Sequence, residues 1–175
     1  MSNHLTGLRL AMIAGLGLIA LPALADDTRF EIQLGRSYSN SVGTNTLFLE
    51  SVFNPQPIGN SRWTWAPDVS VGYINGRDLQ HYDGDRYTTK DDIWLGAAGV
   101  RVHYGDASNW YQPLFFSFQP VLHTGRTLAL SSVYEFASTL GWQGKHFSVQ
   151  VRHLSNGGFH EPNRGETMGL IGFAF

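Results

Sequence analysis

The chain has 175 residues, contains no cysteine and carries a formal net charge of −2 at pH 7. A single domain is therefore expected, disulfides and thiolate metal sites are excluded, and the acidic balance argues against a nucleic-acid partner. The 20 glycines, the 13% of aromatic residues and the low 15% of charged residues favour short strands and turns over charged helices.

The N-terminal segment has the pattern of a secretory signal peptide. Arg9 supplies a positive charge, residues 10–21 are apolar, and Ala23-Leu24-Ala25 forms a small-residue cleavage site. A membrane anchor helix is the alternative interpretation, but the apolar run is short for the ~20 residues that span a bilayer. The sequence thus predicts a signal peptide at 1–25 and one exported domain at 26–175.

Segments of alternating character follow in the mature chain. In each one, apolar and aromatic side chains occupy every second position, as expected of a strand with one apolar face. The predicted strands are Thr28–Tyr38, Asn45–Phe53, Arg62–Ile74, Asp92–Tyr104, Gln112–Thr124, Ser132–Trp142, Lys145–Ser155 and Thr167–Phe175.

The number and length of these strands and their aromatic-rich face are typical of a small transmembrane β-barrel. The chain also ends on an alternating strand with Phe175 as its last residue, an ending that resembles the C-terminal strand of bacterial outer-membrane proteins. We therefore predict an all-β fold, an eight-stranded antiparallel up-and-down transmembrane barrel. A soluble periplasmic barrel or sandwich is the alternative, but its outward face should be polar.

Loop lengths predict which end of the barrel faces outward. The connection from Asn75 to Asp91 is long and polar, whereas the connection around Gly144 is tight. In outer-membrane barrels long loops face the exterior and short turns face the periplasm. The seventh predicted strand is then expected to end, at His153 and Ser155, toward the outer surface.

His153 and Ser155 are two residues apart at the end of that strand. Residues i and i+2 share a face of a strand, and this pair has the parity of the apolar Val149 and Val151. Both polar side chains are therefore expected on the lipid-facing wall, where polar groups are costly and usually functional. A histidine base beside a serine nucleophile is the functional interpretation; an incidental pair before an Asn-Gly turn is the alternative.

The turn after this pair offers donors for an oxyanion hole, which would stabilise the intermediate of ester cleavage. The candidates are the side chain of Asn156, the amides of Gly157 and Gly158, and Asn163. The histidines of the chain show no metal-ligand spacing, so no metal site is expected.

These residues resemble a known family, the lipid A 3-O-deacylase (PagL) family of outer-membrane β-barrel enzymes. The resemblance lies in the closing strand, in Pro162-Asn163 followed by Gly165, and in His153-Leu154-Ser155-Asn156-Gly157-Gly158. It implies a His-Ser-Glu triad on the lipid-facing wall, with His153 as base and Ser155 as nucleophile. It further implies hydrolysis of the ester-linked acyl chain at the 3 position of lipid A, in the outer membrane and without a cofactor.

The acid of the implied triad departs from the family pattern. That pattern predicts it two residues after the glycine of P-N-x-G, at Thr167, whereas the nearest carboxylate is Glu166. A shift of one residue reverses the face of a strand, so Glu166 can serve if the strand starts later or if a bulge turns it outward. Otherwise the acid comes from elsewhere in the chain, or the protein works with a weakened triad. A loop carboxylate in water is the alternative. Glu166 is retained as the candidate acid, with the expectation that Glu166→Ala costs more activity than Thr167→Ala.

The function favoured by the sequence is an outer-membrane serine esterase acting on lipid A of lipopolysaccharide. Its expected partners are that substrate and the lipids of the outer membrane, and a homodimer is left open. Two other functions also stay open. One is a non-enzymatic barrel that binds a ligand or supports the envelope, and the other is a phospholipase-type lipid esterase that uses the same pair.

Overall fold

The structure, a computed structural model, describes residues 28–79 and 90–175. The predicted signal peptide lies outside the described residues, as does the middle of the long loop after residue 74. The strands of the described chain are β1 (Arg29–Ser39), β2 (Val42–Val52), β3 (Gln56–Pro57), β4 (Trp63–Ile74), β5 (Ile93–Tyr104), β6 (Leu114–His123), β7 (Tyr134–Gln143), β8 (Phe147–Ser155) and β9 (Glu166–Ala174).

All neighbouring strands are antiparallel, and the sheet closes on itself. The order is β2-β1-β9-β8-β7-β6-β5-β4-β3, and β2 pairs with β4 to complete the ring. The two-residue β3 pairs only with the start of β4, so the barrel wall consists of eight long strands. The predicted fold is confirmed.

The strand bounds differ from the predicted ones most clearly at β2, which begins at Val42 rather than Asn45. The cause is the turn at Asn40 and Ser41, whose φ angles are 48° and 67°. Two consecutive residues with positive φ make the type I′ hairpin turn, which matches the twist of the flanking strands. The turn lacks the glycine that usually marks it, so the sequence pattern did not reveal it.

The outward face of the wall is apolar. Aromatic pairs mark both ends of this face: ring centroids are 4.8 Å apart in Tyr73–Trp94 and 4.9 Å apart in Trp63–Tyr104. Trp63 and Tyr73 are ten positions apart on β4, which corresponds to about 33 Å of strand, or about 25 Å of height at a tilt of ~40°. That height matches the apolar band of outer-membrane barrels, which aromatic girdles flank. A soluble barrel does not fit this polarity.

The inward face is polar and is filled by a network centred on Glu50. Its carboxylate accepts hydrogen bonds at 2.6 Å from Arg101 and at 2.6 Å from Arg152, and a further one from Gln33. Arg101 also donates to Asp68 at 3.1 Å. All five side chains are buried. Since Arg152 directly precedes His153, this network anchors β8 behind the outward-facing pair.

An apolar plug closes the interior at the end of the barrel where β8 finishes. The β6–β7 connection, residues 124–133 and hereafter the plug loop, folds into the mouth so that Leu128, Ala129 and Leu130 are fully buried. They join a cluster that includes Leu154 and Met168 from the wall. Among the described residues, no helix is long and apolar enough to cross a membrane.

Candidate active site

His153 and Ser155 end β8 and project from the outward face of the wall. Burial alternates along this strand, so that Leu154 between them is fully buried in the interior. The His153 side chain is exposed and Ser155 is half-buried. The parity that places both residues beside Val149 and Val151 is therefore present in the structure.

His153 is held by the strands on either side of it. It lies opposite Ser138 of β7 and opposite Thr167 of β9. Its Nδ1 is 2.8 Å from the Thr167 hydroxyl oxygen. If Nδ1 carries the proton and donates it to that hydroxyl, Nε2 has the free lone pair that a general base requires.

The other edge of the imidazole ring packs against Gly165. A Cβ added at this glycine would lie 2.8 Å from His153 Cε1 and 3.1 Å from His153 Nε2. The β8–β9 pairing ends at Leu154–Glu166, so Gly165 is the next residue opposite Ser155. The Nε2 edge of the ring is therefore directed toward the Ser155 level. The φ of Gly165 is +67°, a second reason why glycine suits this position.

The structure does not join His153 and Ser155 by a hydrogen bond. The Ser155 hydroxyl also makes no hydrogen bond to any other residue of the described chain. The two residues share a face, with about 7 Å between their Cα atoms. Rotation of the side chains brings His153 Nε2 and Ser155 Oγ closer than this. Catalytic hydrogen bonds are often long in the absence of substrate and tighten when it binds.

Glu166 is not beside His153, contrary to its assignment as the candidate acid. Its side chain points into the barrel and is 2% exposed. There its carboxylate accepts two hydrogen bonds from Arg77 Nη2, at 2.9 and 2.8 Å, and one from Ser37. The ladder is regular at Leu154–Glu166, so no bulge turns this residue outward. Thr167, one residue later, takes the position beside the imidazole.

The candidate oxyanion donors divide into two groups. The Asn156 amide group donates to His160 O at 2.8 Å, and its oxygen accepts from the Gly158 amide at 2.9 Å. The Asn156 side chain and the Gly158 amide therefore hold the loop together. Asn163 accepts from the Asn156 backbone at 3.3 Å through its oxygen. Within the described chain, the Gly157 amide and the Asn163 side-chain nitrogen make no hydrogen bond and remain available to a ligand.

The site loop, residues 156–165, is fastened to the plug loop. Gly165 donates to Ala129 O at 3.0 Å, and the Ser131 hydroxyl lies 3.0 Å from His160 Nδ1. The backbone of Gly165, which abuts His153, is thus tied to a buried part of the barrel mouth. Sequence reasoning missed Ala129 and Ser131, because nothing in a local pattern relates two loops about 30 residues apart.

Aromatic side chains border Ser155 on the outer wall. Phe136 of β7 lies opposite Ser155 in the β7–β8 ladder. Its ring stacks on Phe118 at 5.7 Å and meets Phe159 of the site loop edge-on at 6.4 Å. An apolar chain lying along the wall would therefore pass over these rings to reach the serine.

The comparisons with known proteins indicate a fold but no family. No family model and no curated protein matches the sequence. Among solved structures, the outer membrane enzyme PagL is similar at a TM-score of 0.52 and 16% identity, over 84% of this chain and 98% of that chain. Ail, the attachment invasion locus protein of Yersinia pestis, gives 0.37 and 10%, over 85% and 96%. At 16% identity the likeness to PagL is one of architecture, that of a small outer-membrane barrel.

Proposed function

We propose that this protein is an outer-membrane serine esterase that removes the ester-linked 3-O-acyl chain of lipid A. The observation that carries the proposal is the outward position of His153 and Ser155. On the outward face of β8 they are the polar residues of a row that otherwise holds Phe147, Val149 and Val151, and one of them is a base and the other a nucleophile. Polar groups that face lipid are costly, and those that are present usually serve a function.

The chemistry follows from the residues on the wall. His153 Nε2 takes the hydroxyl proton of Ser155 while the serine oxygen bonds to the ester carbonyl carbon, giving a tetrahedral oxyanion. The Gly157 amide and the Asn163 side chain are the available donors to that oxygen. The carbon–oxygen bond to the sugar then breaks, and His153 returns the proton to the leaving alcohol. Water, activated in the same way, releases the fatty acid from Ser155.

The surroundings suit a substrate that stays in the membrane. The pair lies at the end of β8, where His153 shares a ladder row with Tyr38 through Thr167 and Ser155 lies opposite Phe136; aromatic residues of this kind are typical of the membrane interface. Phe136 and Phe159 offer an apolar surface for the acyl chain beside Ser155. The predicted signal peptide and the architecture shared with PagL support placement in the outer membrane, with the site end of the barrel toward the exterior.

The direct test is the mass of lipid A from a Gram-negative host that expresses the protein. We expect lipid A that lacks one 3-hydroxyacyl chain, and unchanged lipid A with Ser155→Ala or His153→Ala. Ser138→Ala is a matched control, because Ser138 lies opposite His153 on the same outward face. Unchanged lipid A beside a folded, heat-modifiable wild-type barrel would contradict the proposal.

One observation favours the non-enzymatic alternative. The polar partner of the imidazole is a hydroxyl, which cannot stabilise an imidazolium as a carboxylate does. A barrel that binds ligands without turnover would tolerate this change. The phospholipase alternative is separated by the same experiment, since it predicts intact lipid A and an increase in free fatty acid and lysophospholipid.

A further inference from the structure

Arg36 is an unusual residue on the outer wall. It lies on β1 between the outward-facing Leu34 and Tyr38 and is itself exposed. Within the eight long strands as described, it is the only outward-facing position with a formally charged side chain, with His153 counted as neutral. A charge on the lipid face of a barrel is destabilising to a degree that depends on its depth. Its presence therefore calls for a function.

The guanidinium does not stay at the level of its own Cα. It reaches toward the site end of the barrel, because Arg36 Nη2 lies 3.0 Å from where a Cβ of Gly43 would be, and Gly43 pairs with Tyr38. The guanidinium carbon is also 6.0 Å from the centre of the Tyr38 ring. Arginine side chains near a membrane interface extend in this way to bring the charge to the headgroup level.

The charge thereby reaches the same level as the candidate active site. Tyr38 lies opposite Thr167, and Thr167 lies opposite His153, so the three form one row across β1, β9 and β8. The guanidinium leans toward β2, where Asn45 and Gly43 lie, and between two and three spacings of about 4.8 Å therefore separate it from β8, on the order of 10–15 Å from His153. Gly169 of β9 pairs with Arg36. Because it is a glycine, it adds no side chain to the surface between Arg36 and His153.

Most N–H donors of the Arg36 guanidinium are unused within the described chain. Nη1 donates to Asn45 Oδ1 at 2.9 Å, and this bond fixes its orientation. The remaining N–H groups bond to nothing in the described chain, and no carboxylate there pairs with the charge. A planar fork of free N–H groups matches the oxygens of a phosphate, which it can bind in a bidentate manner.

We propose that Arg36, oriented by Asn45, binds a phosphate group of a lipid headgroup and so positions that lipid beside His153 and Ser155. The role in positioning a substrate rests on the function proposed above; the binding of phosphate does not. The phosphate can belong to the substrate itself or to a neighbouring phospholipid.

Binding is best measured without turnover, in the Ser155→Ala background, by native mass spectrometry of the barrel in a neutral detergent. The probes are phosphorylated lipid A, the same lipid A without phosphate, phosphatidylglycerol and diacylglycerol. We expect several-fold more adduct with a phosphate-bearing lipid than with its phosphate-free counterpart. Arg36→Gln should remove that preference, and Arg36→Lys should keep part of it. Arg62→Gln, an exposed arginine at the opposite end of the barrel, is the control and should behave like the parent.

The pattern of adducts identifies the source of the phosphate. A preference confined to phosphorylated lipid A assigns it to the substrate, and an equal preference for phosphatidylglycerol assigns it to a neighbouring lipid. Equal adducts with and without phosphate, or a preference that survives Arg36→Gln, would overturn the proposal. If the esterase function also holds, Arg36→Gln in the Ser155-containing protein should raise KM several-fold with little change in kcat. The binding result stands whether or not lipid A is deacylated.

Discussion

At the scale of single residues, the polar partner of His153 is the feature that most affects the chemistry. Thr167 can accept the Nδ1 proton and so select the tautomer with a free Nε2. It supplies no negative charge for the imidazolium that forms during the reaction. Thr167 therefore acts as a positioning residue. We expect ester hydrolysis by His153 and Ser155 to be slower than hydrolysis by a triad with a carboxylate.

We expect Thr167→Val, which keeps the shape and removes the hydroxyl, to lower kcat about tenfold, the value of one hydrogen bond of ~1.4 kcal/mol. Thr167→Ser should restore most of the rate. Thr167→Glu should exceed the wild-type rate, because a charged acceptor makes a stronger bond to the imidazole. Steady-state hydrolysis of an ester substrate in detergent measures all three. Equal rates for the valine and serine variants would show that the hydroxyl has no positioning role.

Gly165 is the second residue with a specific requirement at the site. Gly165→Ala should displace the imidazole, since the new Cβ would lie 2.8 Å from His153 Cε1. Activity should fall about tenfold or more, since a misplacement of 1 Å can cost about a hundredfold, while the barrel stays heat-modifiable on gels. Gly158→Ala is the matched control: its φ is +82°, but a Cβ there meets nothing within 4 Å. Equal losses in both variants would point to backbone strain instead of the ring contact.

At the scale of elements, Glu166 connects three parts of the barrel. From the start of β9 it holds Arg77 of the β4–β5 connection and Ser37 of β1. Arg77 in turn donates to Val42 O at 3.0 Å, at the start of β2. This buried ion pair fastens the start of the β4–β5 connection, at Arg77, to the barrel mouth and plays no direct part at the outer wall.

We therefore expect Glu166→Gln to reduce stability more than activity. The unfolding free energy should fall by about 2 kcal/mol, the value of hydrogen bonds to a charged group, as measured by urea titration of tryptophan fluorescence. Arg77→Met should have a similar effect, and the double variant should lose less than the sum. Activity should fall less than in Thr167→Val, the reverse of what the sequence led us to expect. A Glu166→Gln barrel of unchanged stability but no activity would contradict this role.

At the scale of the whole molecule, the interior network determines whether the barrel holds its shape. Glu50 forms ion pairs with both Arg101 and Arg152. Each of these arginines also stacks on an aromatic ring, Arg101 on Phe115 and Arg152 on Phe48. We expect Glu50→Gln to lower the unfolding free energy by about 3–5 kcal/mol, because it removes the carboxylate that pairs with the buried Arg152 and leaves Arg101 with Asp68 alone. Leu49→Ala, its outward-facing neighbour, is the control and should cost much less. Similar losses in the two variants would place the stabilisation in the outer wall.

Much of this architecture could be predicted from the sequence, because a period of two is a local property of a strand. The alternation around Leu154 predicted the outward position of His153 and Ser155, and the same parity argued that Glu166 faces inward. The bulge that would have turned Glu166 outward does not form. Contacts between distant segments, such as Gly165 with Ala129, leave no local pattern, so the fastening of the site loop required the structure.

The central claim is that Ser155 is a nucleophile activated by His153 on the outer wall. A lipid-soluble alkyl phosphonate that reacts with activated serines tests it most directly, with the adduct located by peptide mass spectrometry of the refolded barrel. We predict one covalent adduct, on Ser155, which disappears in His153→Ala and is much slower in Thr167→Val. No adduct on Ser155, or an adduct that forms equally fast in His153→Ala, would contradict the account.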